Sequence, residues 1–405
     1  KEVNSYTIGT GERGTRYVAA DYGTFLNPEK TLGIRLNAAH EDIRPFVKGA
    51  EGYRDFASIA VDAKLSNKTK VEFDFEYQNK SQKSIPGLML LGGTTLPSVN
   101  PEINLSYYPW VLPTEIHSKN IGVKLDHELN DSLKLFASAN RSEVKINDRI
   151  AYPYGCSADA SGAYGTFCSD GTYDVYDFRS DGEIRKNDQI QMGISGKTSI
   201  SGIANTWTLG ISELKRTSNK GASVYGLNLG PFANNYNGQD NIYSLNATPT
   251  PSNYTTGPIY KILDHTQTSL FLYDQINLDE KAKIFLAHRL VYMKQAAYDV
   301  YSGSQYDALN KTWHLPQVGA SYNLSPQLTN YISYSKGVEP GTIALPDSFR
   351  NSSVMPPKHT EQYEMGSKYA LNSDSLFSLA IFQMKRPNEF AIDYHRDQDG
   401  YYRST

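Results

Sequence analysis

The two cysteines are the first candidates for chemistry. Cys156 and Cys168 are the only cysteines among the 405 residues, and they lie in the stretch GCSADASGAYGTFCSDG. In an exported protein such a pair is typical of a disulfide, and closing a loop of about 13 residues stabilises a fold by roughly 3 kcal/mol on the chain-entropy model. A zinc site is the alternative, but no Cys-x-x-Cys motif or nearby histidine supplies further ligands. The pattern therefore favours a disulfide that stiffens one loop.

No residue pattern indicates catalysis. The histidines are scattered, and no two of them have the spacing of metal ligands. Gly-x-Ser-x-Gly, P-loop and His-Glu-x-x-His motifs do not occur, and carboxylate pairs such as Glu361 and Glu364 are common on wet surfaces. The sequence therefore predicts neither an enzyme nor a resident metal or cofactor. The histidines are His40, His117, His127, His265, His288, His314, His359 and His395.

Aromatic and arginine side chains are concentrated in segments that read as long loops. Aromatic faces, phenol hydroxyls and guanidinium groups suit a ligand that presents rings, amides and acidic oxygens. The stretch GTYDVYDFRS (171–180) is the first choice, because it groups a cation, two phenols and a ring. The alternative is that these aromatics only pack the loops together or form an aromatic girdle. The ligand-contact candidates are Arg179, Tyr173, Tyr176 and Phe178, then Tyr107, Tyr108 and Trp110, and finally Tyr152, Tyr154 and Tyr225.

The elements that must position these loops are strands with two different faces. In KVEFDFEYQN (70–79) apolar residues alternate with charged or amide residues, and successive side chains of a strand point to opposite faces. In a soluble sheet the apolar face would meet a protein core, whereas in an outer-membrane barrel it would meet lipid. So many charged groups are costly to bury in a dry core. We therefore expect Glu72, Asp74 and Glu76 to face a water-filled lumen, and Phe73 and Phe75 to face lipid.

Composition supports the barrel interpretation. The chain has a mean hydropathy of −0.51, with 39% hydrophobic residues and 30 tyrosines, which is polar for a soluble chain that must bury a large core. Tyrosine is favoured in strands and in the aromatic girdles of membrane barrels.

The net charge of −3 gives no indication of a basic surface for nucleic acid. No apolar run approaches the ~20 residues of a membrane helix, and the opening KEVNSYTIGT is not a signal peptide.

The connections between strands alternate between short and long. The short ones are rich in Asn, Asp, Ser and Pro, which set tight turns, and the long ones all fall at the other end of the strands. This alternation is typical of a bacterial outer-membrane barrel with short periplasmic turns and long extracellular loops. The long connections are expected at 80–116, 147–188, 218–264, 295–313 and 337–359. About sixteen strands are expected, at 2–10, 15–23, 31–42, 54–65, 68–79, 116–129, 133–146, 186–199, 205–217, 265–278, 281–294, 313–324, 328–336, 360–371, 375–386 and 400–405.

Several phrases, in order, resemble the barrel of the TonB-dependent siderophore receptors of the bacterial outer membrane. One hairpin phrase, 268–292, departs mildly from the family pattern, because Ala287 or His288 stands where the family has glycine. The phrases are DYGTFLNPEKTLGIRLNAAHED (21–42), YQNKSQKSIPGLMLLG (77–92), TSLFLYDQINLDEKAKIFLAHRLVY (268–292), PQVGASYNLSPQLTNYISYSKGVEPG (316–341) and PPKHTEQYEMGSKYALNSDSLFSLAIFQMKRPNEF (356–390).

The resemblance implies an all-β, transmembrane antiparallel barrel located in the outer membrane. Such a receptor binds a ferric siderophore through its extracellular loops and imports it with energy from TonB, within lipid and lipopolysaccharide. Iron enters only inside its chelate, so no cofactor is implied. Family barrels have twenty-two strands and an N-terminal plug domain, and neither the plug nor the last strands are recognised here. Residues 1–405 are therefore expected to be a partial barrel domain.

Two alternatives remain open from the sequence. A porin that allows passive diffusion would also suit an even barrel of about 16 strands, but it would be expected to fold one constricting loop into the lumen. A soluble all-β binding protein is the other alternative. The siderophore class recognised cannot be chosen from loops of this composition, because loops vary most among related proteins.

Overall fold

The computed structural model describes residues 2–157, 165–222, 236–246, 248–251, 255–341 and 354–387. These contain sixteen strands and one short 3-10 turn, Glu12–Gly14. The described residues contain no helix long and apolar enough to cross a membrane. The strands are β1 (Val3–Thr10), β2 (Arg16–Phe25), β3 (Leu32–Ile43), β4 (Gly52–Lys64), β5 (Thr69–Gln82), β6 (Thr114–Asn130), β7 (Leu133–Pro153), β8 (Thr172–Ile200), β9 (Ile203–Lys220), β10 (Tyr236–Asn241), β11 (Tyr260–Asn277), β12 (Ala282–Tyr298), β13 (Gln305–Asn323), β14 (Leu328–Glu339), β15 (Lys358–Ala370) and β16 (Leu376–Lys385).

The strands form one antiparallel sheet in which nearly every strand pairs with its neighbours in the chain. The order runs from β1 to β9 and then from β11 to β16, while the short β10 pairs with β8 outside this path. Among the described residues β1 and β16 are the two edges, so the sheet is not closed. The predicted all-β meander is confirmed. The predicted strand at 400–405 lies outside the described residues, and β10 was not expected from the sequence.

The alternation in β5 does separate two kinds of surface. Phe73 pairs with Val61 of β4 and with Val123 of β6. Directly opposed residues share a face of the sheet, so these three side chains form an apolar row across three strands. On the other face Glu72 forms ion pairs with Lys70 and with Lys124, the latter at 3.3 Å. The exposed apolar face and the charged face match the lipid-facing and water-facing walls of an outer-membrane barrel.

The turns at one end of the sheet are tight and locally specified. Ser201 and Gly202 join β8 to β9, and both have positive φ, 52° and 82°, as the favoured two-residue hairpin turn requires. Asn27 and Asn130 use their side-chain oxygens to accept backbone N–H groups within their own turns, and Asp279 does the same. Residues that cap their own turn explain why this end could be read from the sequence.

At the opposite end the strands run much further than expected. The stretch 147–188 was expected to be one loop, but β7 continues to Pro153 and β8 already begins at Thr172. Likewise 295–313 is mostly strand, because β12 ends at Tyr298 and β13 begins at Gln305. These two loop predictions are wrong, because Gly- and Tyr-rich segments that read locally as loop pair with each other across long hairpins.

A small protein core lies at the long-loop end of the sheet. It joins the loop 83–113, the β7–β8 hairpin and the residues around β10, and we call this region the cap. A barrel with a wet lumen needs no large core, so this cluster serves to fix the loops rather than the wall. Its buried members are Leu105, Tyr108, Val111, Ala151, Phe167, Tyr173, Val175 and Ile242.

Candidate functional site

The predicted disulfide is confirmed and fastens the tip of the β7–β8 hairpin. Cys156 is bonded to Cys168, and both are buried. The neighbouring Ser157 donates from its backbone N–H (2.8 Å) and from its hydroxyl (2.7 Å) to the carboxylate of Asp174. The backbone N–H of Cys168 donates to the carbonyl of Thr172 at 2.8 Å. The bridge therefore ties the connection to the first residues of β8.

A buried carboxylate collects three of the predicted tyrosines. Asp240 of β10 is 2% exposed, and its Oδ2 accepts the hydroxyls of Tyr107 at 2.8 Å and Tyr108 at 3.0 Å. The Tyr173 hydroxyl lies 3.3 Å from that of Tyr108, while Oδ1 of Asp240 accepts two backbone N–H groups. Burial is the main reason why the pKa values of Tyr108 and Tyr173 are raised. These neutral phenols hold three separate segments of the cap together.

The indole of Trp110 extends this cluster toward the surface of the cap. Its ring stacks on Tyr108, with ring centres 5.4 Å apart and planes 11° from parallel. Its Nε1–H donates to the carbonyl of Pro249 at 3.0 Å. Stacking on one side and a hydrogen bond at the edge fix the orientation of the indole.

Three further predicted tyrosines contact one another on the β7–β8 hairpin. Tyr154 meets the edges of Tyr152 and Tyr176, with ring centres 6.2 Å and 6.0 Å away, and the rings of Tyr152 and Tyr176 are 6.2 Å apart. Tyr176 is buried, whereas Tyr154 is 42% exposed. This group presents one ring, that of Tyr154, to the outside of the cap.

A cavity of about 230 Å³ lies between the loop 83–113 and the β7–β8 hairpin. Two arginines enter it from adjacent strands, because Arg149 and Arg179 are direct cross-strand neighbours. Their side chains are 26% and 27% exposed, so both guanidinium groups are partly buried but still accessible to water. The lining residues are Trp110, Val111, Leu112, Arg149, Ile150, Asp177, Phe178, Arg179, Asp181 and Pro251.

Each arginine is balanced by its own aspartate. Arg149 Nε lies 2.7 Å from Asp181, and Arg179 lies 3.1 Å from Asp177, so the two ion pairs carry no net charge. A guanidinium has five N–H donors in a rigid fork, and one carboxylate contact leaves others able to bind oxygen atoms of a ligand. Together with the ring of Trp110, the cavity can take a partly aromatic group that carries acceptor oxygens.

The structure therefore brings together three of the ten ligand-contact candidates, Trp110, Phe178 and Arg179. It places Tyr108 and Tyr173 in the buried cluster around Asp240. Tyr225 lies outside the described residues. Arg149 was missed by the sequence reasoning, and only its register opposite Arg179 shows that the two arginines are neighbours.

Two further observations bound the chemistry of the chain. Among the residues the structure describes, no group of three or more His, Cys, Asp or Glu side chains could hold a metal ion. Larger concavities, up to about 730 Å³, lie along β11–β16 close to one edge of the sheet. None of the predicted ligand residues lines them.

The fold is similar to that of solved outer-membrane receptors. The ferric preacinetobactin receptor BauA from Acinetobacter baumannii is 17% identical with a TM-score of 0.79, over 100% of this chain and 57% of that protein. The ferripyoverdine receptor of Pseudomonas aeruginosa, bound to ferripyoverdine, is 15% identical with a TM-score of 0.82, over 100% and 52%. The ferric-catecholate import receptor Fiu from E. coli K12 is 13% identical with a TM-score of 0.77, over 99% and 60%. The chain thus spans a little over half the length of these receptors.

A comparison with curated protein sequences finds no match. A family model described as the β-barrel of TonB-dependent receptor-like proteins matches residues 57–404. Members of this family are receptors and transporters of the bacterial outer membrane and are not enzymes. The match covers most of the chain and agrees with the antiparallel sheet, so this protein belongs to the TonB-dependent receptor-like β-barrel family.

Proposed function

We propose that the complete protein is a receptor that binds a ferric siderophore at the cell surface and imports it with energy supplied through TonB. The main support for this proposal is the cavity that brings Arg149, Arg179 and Trp110 together. The match to the receptor family is the second support. In a ferric siderophore the iron is already coordinated. The receptor must therefore recognise the organic shell of amides, hydroxamates or catechols, and it needs no metal ligands of its own.

The cavity suits one arm of such a chelate. Its volume of about 230 Å³ is below the ~300–1,000 Å³ of a pocket that encloses a whole drug-sized ligand. The guanidinium groups of Arg149 and Arg179 would donate to ligand oxygens, and the rings of Trp110 and Phe178 would contact its apolar parts. The buried tyrosines around Asp240 would hold these groups in position, and the exposed ring of Tyr154 would offer a further contact surface.

The import step would need more than the wall described here. We propose that residues 1–405 supply barrel wall and cap, and that a plug domain of the complete receptor closes the lumen until TonB acts. The siderophore would remain cargo throughout. A porin that allows passive diffusion would not need a cap cavity lined by two arginines that are each paired with an aspartate. This feature therefore favours the receptor over the porin.

Binding to a panel of siderophores tests the proposal. The purified complete receptor should bind at least one iron-loaded siderophore, and should bind the iron-free form of the same compound much more weakly. The experiment uses intrinsic fluorescence or calorimetry, with hydroxamate, catecholate and mixed chelates in one panel. If no chelate of any class binds, while small unrelated solutes pass through the reconstituted protein, the porin alternative replaces the receptor.

A further inference from the structure

Two histidines meet on the outward-facing side of the sheet, His288 of β12 and His314 of β13. Directly opposed residues share a face, and the pairings that start at Phe73 of β5 lead strand by strand to Tyr292 of β12. His288 lies four residues before Tyr292, so it has the same orientation. His314 is opposite Leu290, which also shares this face. Both histidines are exposed, and both imidazoles therefore point away from the lumen.

The two rings are close enough to share one ion. His288 is opposite Pro316 and His314 is opposite Leu290, so the histidines are diagonal neighbours on adjacent strands, although 26 residues separate them in the chain. Nε2 of His288 lies 3.3 Å from Nδ1 of His314, and the ring centres are 5.3 Å apart. Two nitrogens that each lie ~2.0–2.1 Å from a tetrahedral zinc ion are about 3.3–3.4 Å apart. The observed separation is that of two nitrogens bound to one such ion.

No acidic side chain engages either ring within the described ranges of the chain, where the contact between the two imidazoles is the polar contact that each makes. His40, which also faces outward, is placed differently, 2.7 Å from Asp55 and 3.6 Å from Asp42. An imidazole between two acids is held by them, whereas His288 and His314 keep ring nitrogens for a metal ion.

Outward-facing carboxylates on the neighbouring strands have other partners. Glu213 of β9 accepts a hydrogen bond from Thr268 at 3.3 Å, and Glu361 of β15 is paired with Lys336 at 2.9 Å. In the part of the chain that the structure describes, no group of three or more His, Cys, Asp or Glu side chains could hold a metal ion. An ion on the two imidazoles would therefore leave its other coordination positions to water.

The pair lies toward the long-loop edge of the apolar band, where an ion can arrive from water. The ammonium group of Lys294 lies 5.2 Å from the centre of the Tyr292 ring, and tyrosines mark the interfaces of membrane barrels. On β13 the outward-facing residues beyond His314 are polar. From the short turns toward the long loops, the outward-facing residues are Ile284, Leu286, His288, Leu290, Tyr292 and Lys294 on β12, and Ala320, Val318, Pro316, His314, Thr312 and Asn310 on β13.

We propose that His288 and His314 bind one divalent transition-metal ion of the zinc type. Imidazole nitrogens suit Zn²⁺, Cu²⁺ and Ni²⁺. The nitrogen separation favours a tetrahedral ion, because neighbouring nitrogens of a square-planar ion would be only about 2.8–3.0 Å apart. This site lies on the opposite face of the wall from the lumen, so it is independent of the iron chelate that the cap is proposed to bind. With two protein ligands and open positions, the ion should exchange with the medium.

The test measures zinc binding by the complete receptor, purified in detergent without a polyhistidine tag and stripped of metal with a chelator. Equilibrium dialysis or calorimetry with Zn²⁺ should find one ion per chain at this site. His288→Ala and His314→Ala should each weaken binding at least about ten-fold, since even the loss of a residue that only orients a metal ligand costs that much. The matched control is His117→Ala, which removes an outward-facing histidine of β6 opposite Lys145 and should leave zinc binding unchanged.

Cobalt gives a second readout that reports the geometry of the ion. Co²⁺ bound to the parent protein should show the intense visible absorption of tetrahedral coordination, and either histidine variant should lose it. The proposal would be overturned by a parent protein that binds no zinc, by parental affinity in either variant, or by an equal loss in His117→Ala. A purely octahedral cobalt spectrum would overturn it as well.

Discussion

Arg149 of β7 and Arg179 of β8 stand directly opposite each other, and both line the cavity of about 230 Å³ in the cap. Like charges placed opposite each other in a sheet are destabilising, and each is here offset by a separate aspartate, Asp181 or Asp177. The pair can therefore exist without ligand, while keeping N–H groups for one. The proposed ligand site rests on this arrangement.

The first prediction concerns Arg179. Removing a hydrogen bond to a charged ligand group costs about 1.5–3 kcal/mol, so Arg179→Ala should weaken binding of the iron-loaded siderophore roughly ten- to a hundred-fold. Arg149→Ala should have an effect of the same order. Titration of the purified variants gives the dissociation constants.

Arg35→Ala is the matched control for these two variants. It removes an arginine that is paired with Asp21, at 2.9 Å from Nε, on a strand that does not line the cavity. The control should bind the chelate as the parent does. Parental affinity in both Arg149→Ala and Arg179→Ala would show that the cavity is not the ligand site.

The second prediction concerns the carboxylate that organises the cap. Asp240→Ala would remove the carboxylate that accepts the hydroxyls of Tyr107 and Tyr108, and a hydrogen bond to a charged group contributes about 1.5–3 kcal/mol. The loop 83–113 should then open more often and become sensitive to limited proteolysis. Hydrogen exchange of the same segment would measure the effect independently.

The exposed Asp170 provides the comparison for Asp240. Asp170 lies in the connection between β7 and β8, and its carboxylate accepts hydrogen bonds from the backbone N–H and the hydroxyl of Thr172. Its side chain makes no bond to the loop 83–113 among the described residues, so Asp170→Ala should leave that loop protected. If Asp240→Ala leaves proteolysis and exchange of that loop unchanged, the buried cluster does not hold the cap together.

The strands and the short turns could be predicted from the sequence because their signals are local. The alternation of apolar and polar residues around Phe73 defines the two faces of β5. In the turn that follows β6, the side chain of Asn130 accepts the backbone N–H groups of the next residues. The cap could not be predicted, because its strands depend on contacts distant in the chain. Asp240 lies more than 130 residues from Tyr107, and the pairing of Arg149 with Arg179 depends on a register shift in β8 near Gly182, where φ is 74°.

The third prediction concerns the bond between Cys156 and Cys168. Mass analysis of an unreduced digest should find their peptides linked, because the two residues are joined within one hairpin connection. Reduction should free them and loosen the connection, at a cost of up to roughly 3 kcal/mol on the chain-entropy model. Two free thiols in freshly purified protein would contradict the structure at this point.

The fourth prediction concerns the two faces of β5. Single cysteines introduced at Glu72, Asp74 and Glu76 should react with a water-soluble thiol reagent in reconstituted membranes, and cysteines at Phe73 and Phe75 should not. The native cysteines are oxidised, so they give no background. Phe73→Arg should destabilise the barrel by roughly 2–4 kcal/mol if the residue lies near the bilayer midplane. Equal labelling on both faces would show that β5 does not separate lumen from lipid.

Uptake of the iron chelate in cells with and without TonB tests the central claim most directly. Cells that carry the complete receptor would be given the siderophore identified by binding, loaded with radioactive iron. The account predicts that the chelate binds to both kinds of cell but enters only those with TonB. Uptake that proceeds equally well without TonB would contradict it and would leave passive diffusion as the function of the protein.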